Sequence, residues 1–127
     1  MTEQIKHSIL VVEDERPLLE AIKSKLEKND LQVLTARSVE QALTYINDSV
    51  EVDAIWLDHY LLGKETGLDL VAKIKEDNRY KQAPIFVVSN TATPDKEKAY
   101  KQLGVNKYFI KADNRIETIV QEIKEYL

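Results

Sequence analysis

Hydrophobic residues along this chain form two kinds of segment that alternate from one end to the other. Short unbroken apolar runs stand at Ile9-Leu10-Val11-Val12, Ala54-Ile55-Trp56-Leu57 and Ile85-Phe86-Val87-Val88, with weaker ones at Val33-Leu34-Thr35-Ala36 and Tyr108-Phe109-Ile110. Runs of this length, rich in β-branched residues, read as strands buried on both faces. Between them the apolar positions take helical spacing. Leu18, Leu19, Ile22 and Leu26 share one face, as do Val39, Ala42, Leu43 and Ile46. A third stripe runs through Leu70, Val71 and Ile74, and a last one through Ile116, Ile119, Val120, Ile123 and Leu127. Such stripes mark amphipathic helices.

Boundary signals agree with this division. Pro17 falls in a first helical turn, where its missing N–H costs nothing. Ser38 with Gln41 has the form of a capping box. Thr93-Pro94 reads as an N-cap and first-turn proline for a short fourth helix that Gly104 closes, and Asp113 is placed to cap the last helix. Strand and helix alternate five times. That order predicts an α/β fold: a parallel sheet covered on both faces by right-handed crossovers.

In such a sheet, ligands gather beyond the carboxyl ends of the strands. The residues at those exits carry chemistry. Glu13, Asp14 and Glu15 follow the first strand, Asp58 the third, Ser89 the fourth and Lys111 the fifth. Taken singly, an acid after a strand is a turn residue or helix cap, which is how Glu15 reads; Ser89 is a loop hydroxyl and Lys111 a surface charge. Together they form a rim of crowded carboxylates with one hydroxyl and one lysine. A divalent cation relieves such crowding, and hard oxygen donors suit Mg²⁺ beside a phosphate. With the cation present, one carboxylate can attack phosphorus while the lysine stabilises the transferring oxygens.

Composition narrows the alternatives. The 127 residues carry 18 Lys and Arg against 22 Asp and Glu, a net charge of −4, and no Cys. That excludes disulfides, cysteine–zinc sites and thiol nucleophiles, and fits a reducing compartment. The acidic balance argues against direct nucleic-acid binding. No apolar run reaches the roughly 20 residues of a membrane span, and Met1 to His7 is too polar for a signal peptide. Three glycines, Gly63, Gly67 and Gly104, cannot build a P-loop or a dinucleotide fingerprint.

The strings Ile9-Leu10-Val11-Val12-Glu13-Asp14-Glu15, Trp56-Leu57-Asp58, Val87-Val88-Ser89 and Tyr108-Phe109-Ile110-Lys111 resemble the response-regulator receiver domain of two-component signalling. The resemblance covers essentially the whole chain and implies a single (βα)5 doubly wound, flavodoxin-like domain over 1–127, strand order 2-1-3-4-5, with no output domain on this chain. It further implies that Asp58 is the phosphoacceptor. Asp14, Asp58 and the Tyr60 carbonyl would ligate Mg²⁺, with Glu13 acting through water. Ser89 and Lys111 would follow the phosphoryl group, and Tyr108 would be the rotating aromatic; its plainer reading is a half-buried strand residue. The implied partners are a sensor histidine kinase or a histidine phosphotransfer protein, and an effector or output domain reached through the surface of the fourth helix, fifth strand and fifth helix. A phosphorylation-linked dimer and a cytoplasmic location belong to the same implication, and catalysis is confined to self-phosphorylation and autodephosphorylation.

This sequence departs from the family pattern in places. Ala112 replaces the usual Pro after the lysine, so the Lys111–Ala112 bond is either trans or a strained cis bond. Leu62 replaces a Pro after the acceptor, and Gly67 falls one residue late, which predicts a longer or differently turned loop. Asn90 stands where a small residue is usual. His59 reads as a sheet-edge or loop residue rather than a metal ligand. Three rival readings remain: a degenerate receiver acting only as an interaction module, a metal-dependent phosphatase, and a flavodoxin. Tyr60 lacks the carboxylate that the second needs. No phosphate-binding loop supports the third. Tyr80, Tyr100 and Tyr126 read as packing residues.

Overall fold

A computed structural model describes residues 6–90 and 93–127. Its elements are β1 (Ser8–Val12), α1 (Arg16–Lys28), β2 (Gln32–Ala36), α2 (Val39–Asn47), β3 (Ala54–Leu57), α3 (Gly67–Glu76), β4 (Ile85–Ser89), α4 (Pro94–Gln102), β5 (Lys107–Ile110) and α5 (Ile116–Glu125), with a 3₁₀ turn at Lys111–Asp113. All strand pairings are parallel, in the order β2-β1-β3-β4-β5. The α/β flavodoxin-like topology expected from the sequence is therefore present.

Strand alternation divides the core in two. Leu10, Val12, Ile55, Leu57, Ile85 and Val87 face α2, α3 and Tyr100 of α4. Ile9, Val11, Ala54, Trp56, Phe86, Val88 and Phe109 face α1 and α5. Because successive side chains point to opposite faces, an unbroken apolar run is what a strand covered on both sides requires. Tyr80 and Tyr100 are buried, whereas Tyr126 is 42% exposed and sets its edge against the Phe86 ring.

Several caps differ in detail from the sequence reading. The Ser38 hydroxyl accepts from the Gln41 N–H, but Gln41 Oε1 returns to the Arg37 N–H rather than to Ser38. Thr93 is the N-cap of α4 but makes no side-chain cap bond. The N-cap of α5 is Arg115; Asp113 lies within the 3₁₀ turn and caps nothing in α5. Across this turn the Asn114 amide folds back onto the Ile110 carbonyl at 3.0 Å, and the Asn114 N–H bonds the Lys111 carbonyl. A reciprocal capping box at Thr66 and Asp69, which opens α3, was not anticipated.

Candidate functional site

Every strand that carries chemistry ends on the same rim. β1 delivers Glu13 and Asp14, β3 delivers Asp58, β4 ends in Ser89, and β5 runs into Lys111. Register explains the gathering: Val12 pairs with Leu57, and Ser89 pairs with Ile110, so the following residues leave the sheet at one level. Carboxylate oxygens of Glu13, Asp14 and Asp58 lie within 4.8 Å of one another. Glu13 is wholly buried, Asp58 is 6% exposed, and Asp14 is partly open to solvent.

Lys111 holds this acidic group together. Its Nζ lies 2.6 Å from Glu13 Oε1 and 2.9 Å from Asp58 Oδ2. Burial raises the Glu13 carboxyl to about 7, helped by the neighbouring Asp58 charge and opposed by Lys111. Burial alone would lower the Lys111 ammonium, but its hydrogen bonds to Glu13 and Asp58 outweigh this and hold it above its ordinary value. The remaining Asp58 oxygen, Oδ1, accepts the His59 backbone N–H at 2.7 Å. Asp58 thus has both oxygens engaged by fixed donors, which sets the plane of its carboxylate.

Arg37, at the exit of β2, was not singled out by its sequence. Its guanidinium donates twice to the Asp14 carbonyl, at 3.0 and 2.8 Å. Its own carbonyl accepts the Leu62 N–H at 3.0 Å, beside a single parallel bridge between Ser38 and Leu62. One residue therefore ties the loop after β1 to the loop after β3. Residues 58–66 form this second loop. Gly63 supplies its left-handed residue at φ +87°, while Gly67 opens α3 directly over the acceptor loop. A Cβ on Gly67 would lie 2.5 Å from the Tyr100 hydroxyl and 2.7 Å from the Asp58 carbonyl.

His59 is a loop residue as expected, but it is not peripheral. It is 4% exposed, and its Nδ1 meets the Tyr100 hydroxyl at 2.6 Å. Burial, and then the Lys96 charge, push its imidazole below the ordinary histidine value. Tyr60 is exposed at the rim. Lys96 of α4 reaches its hydroxyl at 2.5 Å and lies 4.6 Å from its ring centroid. Ser89 is wholly buried and shares a hydrogen bond with the Tyr108 hydroxyl. The Tyr108 ring packs against the α2–α3–α4 side of the core, 5.7 Å from the ring of Tyr100. Asn90 is exposed, and the Lys111–Ala112 peptide is trans.

Hard oxygen donors on three carboxylates, two of them buried, with a lysine against them, fit a small divalent cation. Glu13, Asp14, Asp58, Ser89 and Lys111 are brought together on one rim. Tyr60 and Tyr108 stand at its margin.

Comparison with known proteins agrees with the fold. The sequence model of the Response regulator receiver domain matches residues 9–124. The transcriptional regulatory protein YvrH of Bacillus subtilis is 32% identical over 111 residues, covering 87% of this chain and 45% of its own length. This chain therefore spans about half of that relative. Among solved structures, the phosphorylated cyanobacterial phytochrome response regulator RcpA superimposes with a TM-score of 0.81 at 27% identity, covering 95% of this chain and 91% of that one. The Mn²⁺-bound form of response regulator Rcp1 gives 0.81 at 26% identity, with coverages of 94% and 92%. The chain belongs to the response regulator receiver domain family of two-component systems.

Proposed function

We propose that this chain accepts a phosphoryl group on Asp58 from a phosphohistidine of a sensor kinase or histidine phosphotransfer protein. The observation that carries this reading is the engagement of Asp58. Its carboxylate is nearly buried, beside Glu13 and Asp14, with one oxygen on Lys111 and the other on the His59 N–H. In the transfer, an Asp58 oxygen forms a bond to phosphorus, the phosphorus–nitrogen bond of the donor breaks, and the donor imidazole leaves with its electron pair. Asp14, Asp58 and the Tyr60 carbonyl would hold Mg²⁺, with Glu13 through water. The bound ion supplies charge neutralisation at the transferring oxygens. A Mn²⁺-bound relative supports an ion of that class.

Lys111 already lies 2.9 Å from Asp58 and need move little to follow the phosphoryl charge. Ser89 is differently placed, because its hydroxyl bonds Tyr108. A phosphoryl oxygen that takes Ser89 competes with Tyr108 for it. The contest couples chemistry at Asp58 to the surface of α4, β5 and α5, a local charge event biasing a two-state element. A partner, an attached effector domain or a second copy of the chain would read that surface. No described helix is long and apolar enough to cross a membrane, and a cytoplasmic location fits this reading.

The test is to incubate the chain with a small phosphodonor and Mg²⁺ and weigh it intact. One added phosphoryl group per chain is expected, abolished by EDTA and by Asp58→Asn. An unlabelled wild type, or equal labelling of Asp58→Asn, refutes the reading.

A further inference from the structure

Tyr100 is the only buried residue of α4, and its burial is complete. A tyrosine at that position carries a hydroxyl into the interior, and a buried hydroxyl needs partners. Its partner is His59 Nδ1, at 2.6 Å. His59 directly follows Asp58, and its own backbone N–H is the donor to Asp58 Oδ1 at 2.7 Å.

Two residues, on α3 and on the loop after β3, are matched around this hydroxyl. Gly67 leaves the space it occupies, since a Cβ there would stand 2.5 Å away. His59 points its imidazole at it from the loop after β3 and makes an edge contact with the Tyr100 ring, centroids 5.6 Å apart. Two apolar side chains could fill the same volume without the cost of burying polar groups. The polar pair instead anchors the residue whose backbone N–H reaches the Asp58 carboxylate.

From this we infer that Tyr100 is a positioning residue for phosphoryl acceptance. Acting through His59, it fixes the orientation of the Asp58 carboxylate from α4. The inference rests on the reading of Asp58 as acceptor. Asp58 is clamped between Lys111 on one oxygen and the His59 N–H on the other. Without the Tyr100 bond the imidazole is free to turn and its peptide to tilt, so the attacking oxygen loses alignment. Misplacement by an ångström costs up to about a hundredfold in rate, and a partial loss of alignment about tenfold.

The experiment measures self-phosphorylation from a small phosphodonor at saturating Mg²⁺. It compares the wild type, Tyr100→Phe, His59→Leu and the double variant, with a thermal midpoint for each. All four keep the His59 backbone N–H. The double variant removes both polar partners, so no imidazole is stranded and stability returns toward that of the wild type. The expected result is a rate about tenfold lower in Tyr100→Phe and equally low in the double variant, although its midpoint recovers. Mg²⁺ affinity, read from Trp56 fluorescence, stays unchanged. A rate that recovers together with stability, or a wild-type rate in Tyr100→Phe, overturns the inference and leaves the pair as packing. A wild type that takes no label refutes the acceptor reading and this one together, whereas a labelled wild type separates them.

Discussion

Replacing Gly67 by alanine adds one methyl group at the tightest point beneath the site. The added Cβ would stand 2.5 Å from the Tyr100 hydroxyl, 2.7 Å from the Asp58 carbonyl oxygen and 3.3 Å from the His59 Cα. The first is the end of a wholly buried ring and the second is backbone, so neither yields cheaply. Overpacking of this kind costs up to about 3 kcal/mol. Alanine regains about 0.5–1 kcal/mol by restricting the unfolded chain, which leaves a net loss of about 2 kcal/mol. With an unfolding entropy of about 2.1 cal/mol/K per residue, a chain of this length should lose about 7 °C in Tm. Circular dichroism at increasing temperature reads this directly. Adding Tyr100→Phe should recover only part of the loss, because the Asp58 carbonyl remains in the way. Gly63→Ala is the control: nothing lies within 4 Å of its Cβ, and its cost is the strain of φ +87° alone. A Gly67→Ala protein that melts with the wild type would show that α3 does not press on the acceptor loop, and the account of Gly67 would fall.

Lys111→Met removes the one cation shared by Glu13 and Asp58; the variant should be less stable in EDTA by about 2 kcal/mol, discounted for the partial solvent access of the lysine. Added Mg²⁺ should narrow that gap, and an equal gap in both buffers would contradict a shared electrostatic role. Arg37→Ala leaves the Asp14 carbonyl without its two donors and should cost about 1–2 kcal/mol while weakening Mg²⁺ binding measured by Trp56 fluorescence. Arg37→Lys should not restore it, because a single ammonium cannot reproduce the planar fork; full rescue by lysine would count against the bidentate clamp.

The strands and four of the helices were legible because burial on both faces writes itself into continuous apolar runs, and burial on one face into helical stripes. The exits were legible for a related reason: once β1, β3, β4 and β5 end at Val12, Leu57, Ser89 and Ile110, the residues at and just past those ends share a rim. What escaped were contacts between residues distant in sequence that obey no period. Arg37 reaches the Asp14 carbonyl across 23 positions, and His59 reaches Tyr100 across 41. A lone arginine after an edge strand looks like any surface charge, and Tyr100 like an ordinary packing residue. One signal was available. Apart from Pro94 and Ala99, helix α4 is polar but for Tyr100, its one buried residue, so the tyrosine hydroxyl had to find a partner inside the fold. Asp113 is not the cap because it falls inside the 3₁₀ turn, two residues before the N-cap Arg115.

The departures at Leu62, Asn90 and Ala112 are the support for a receiver that no longer does chemistry; Asn90 is exposed, and the other two each replace a proline. A proline in a loop restricts backbone freedom, and its replacement matters only if nothing else supplies the restraint. Here other restraints stand in those places. The Leu62 backbone N–H bonds the Arg37 carbonyl, and Arg37 bonds the Asp14 carbonyl, so the loop after Asp58 is tied to the loop that carries the acidic pair. Beyond Lys111 the chain closes a 3₁₀ turn through Ala112, with Asn114 folded back on Ile110. Asp58 and Lys111 meet at 2.9 Å between these two restrained loops. Drift toward a pure interaction module would relax the demand for a buried carboxylate against a half-buried lysine, because such pairs add little stability over apolar packing. Keeping Glu13, Asp58 and Lys111 in one hydrogen-bonded group, with substitutes for both missing prolines, favours the phospho-acceptor reading over the interaction module.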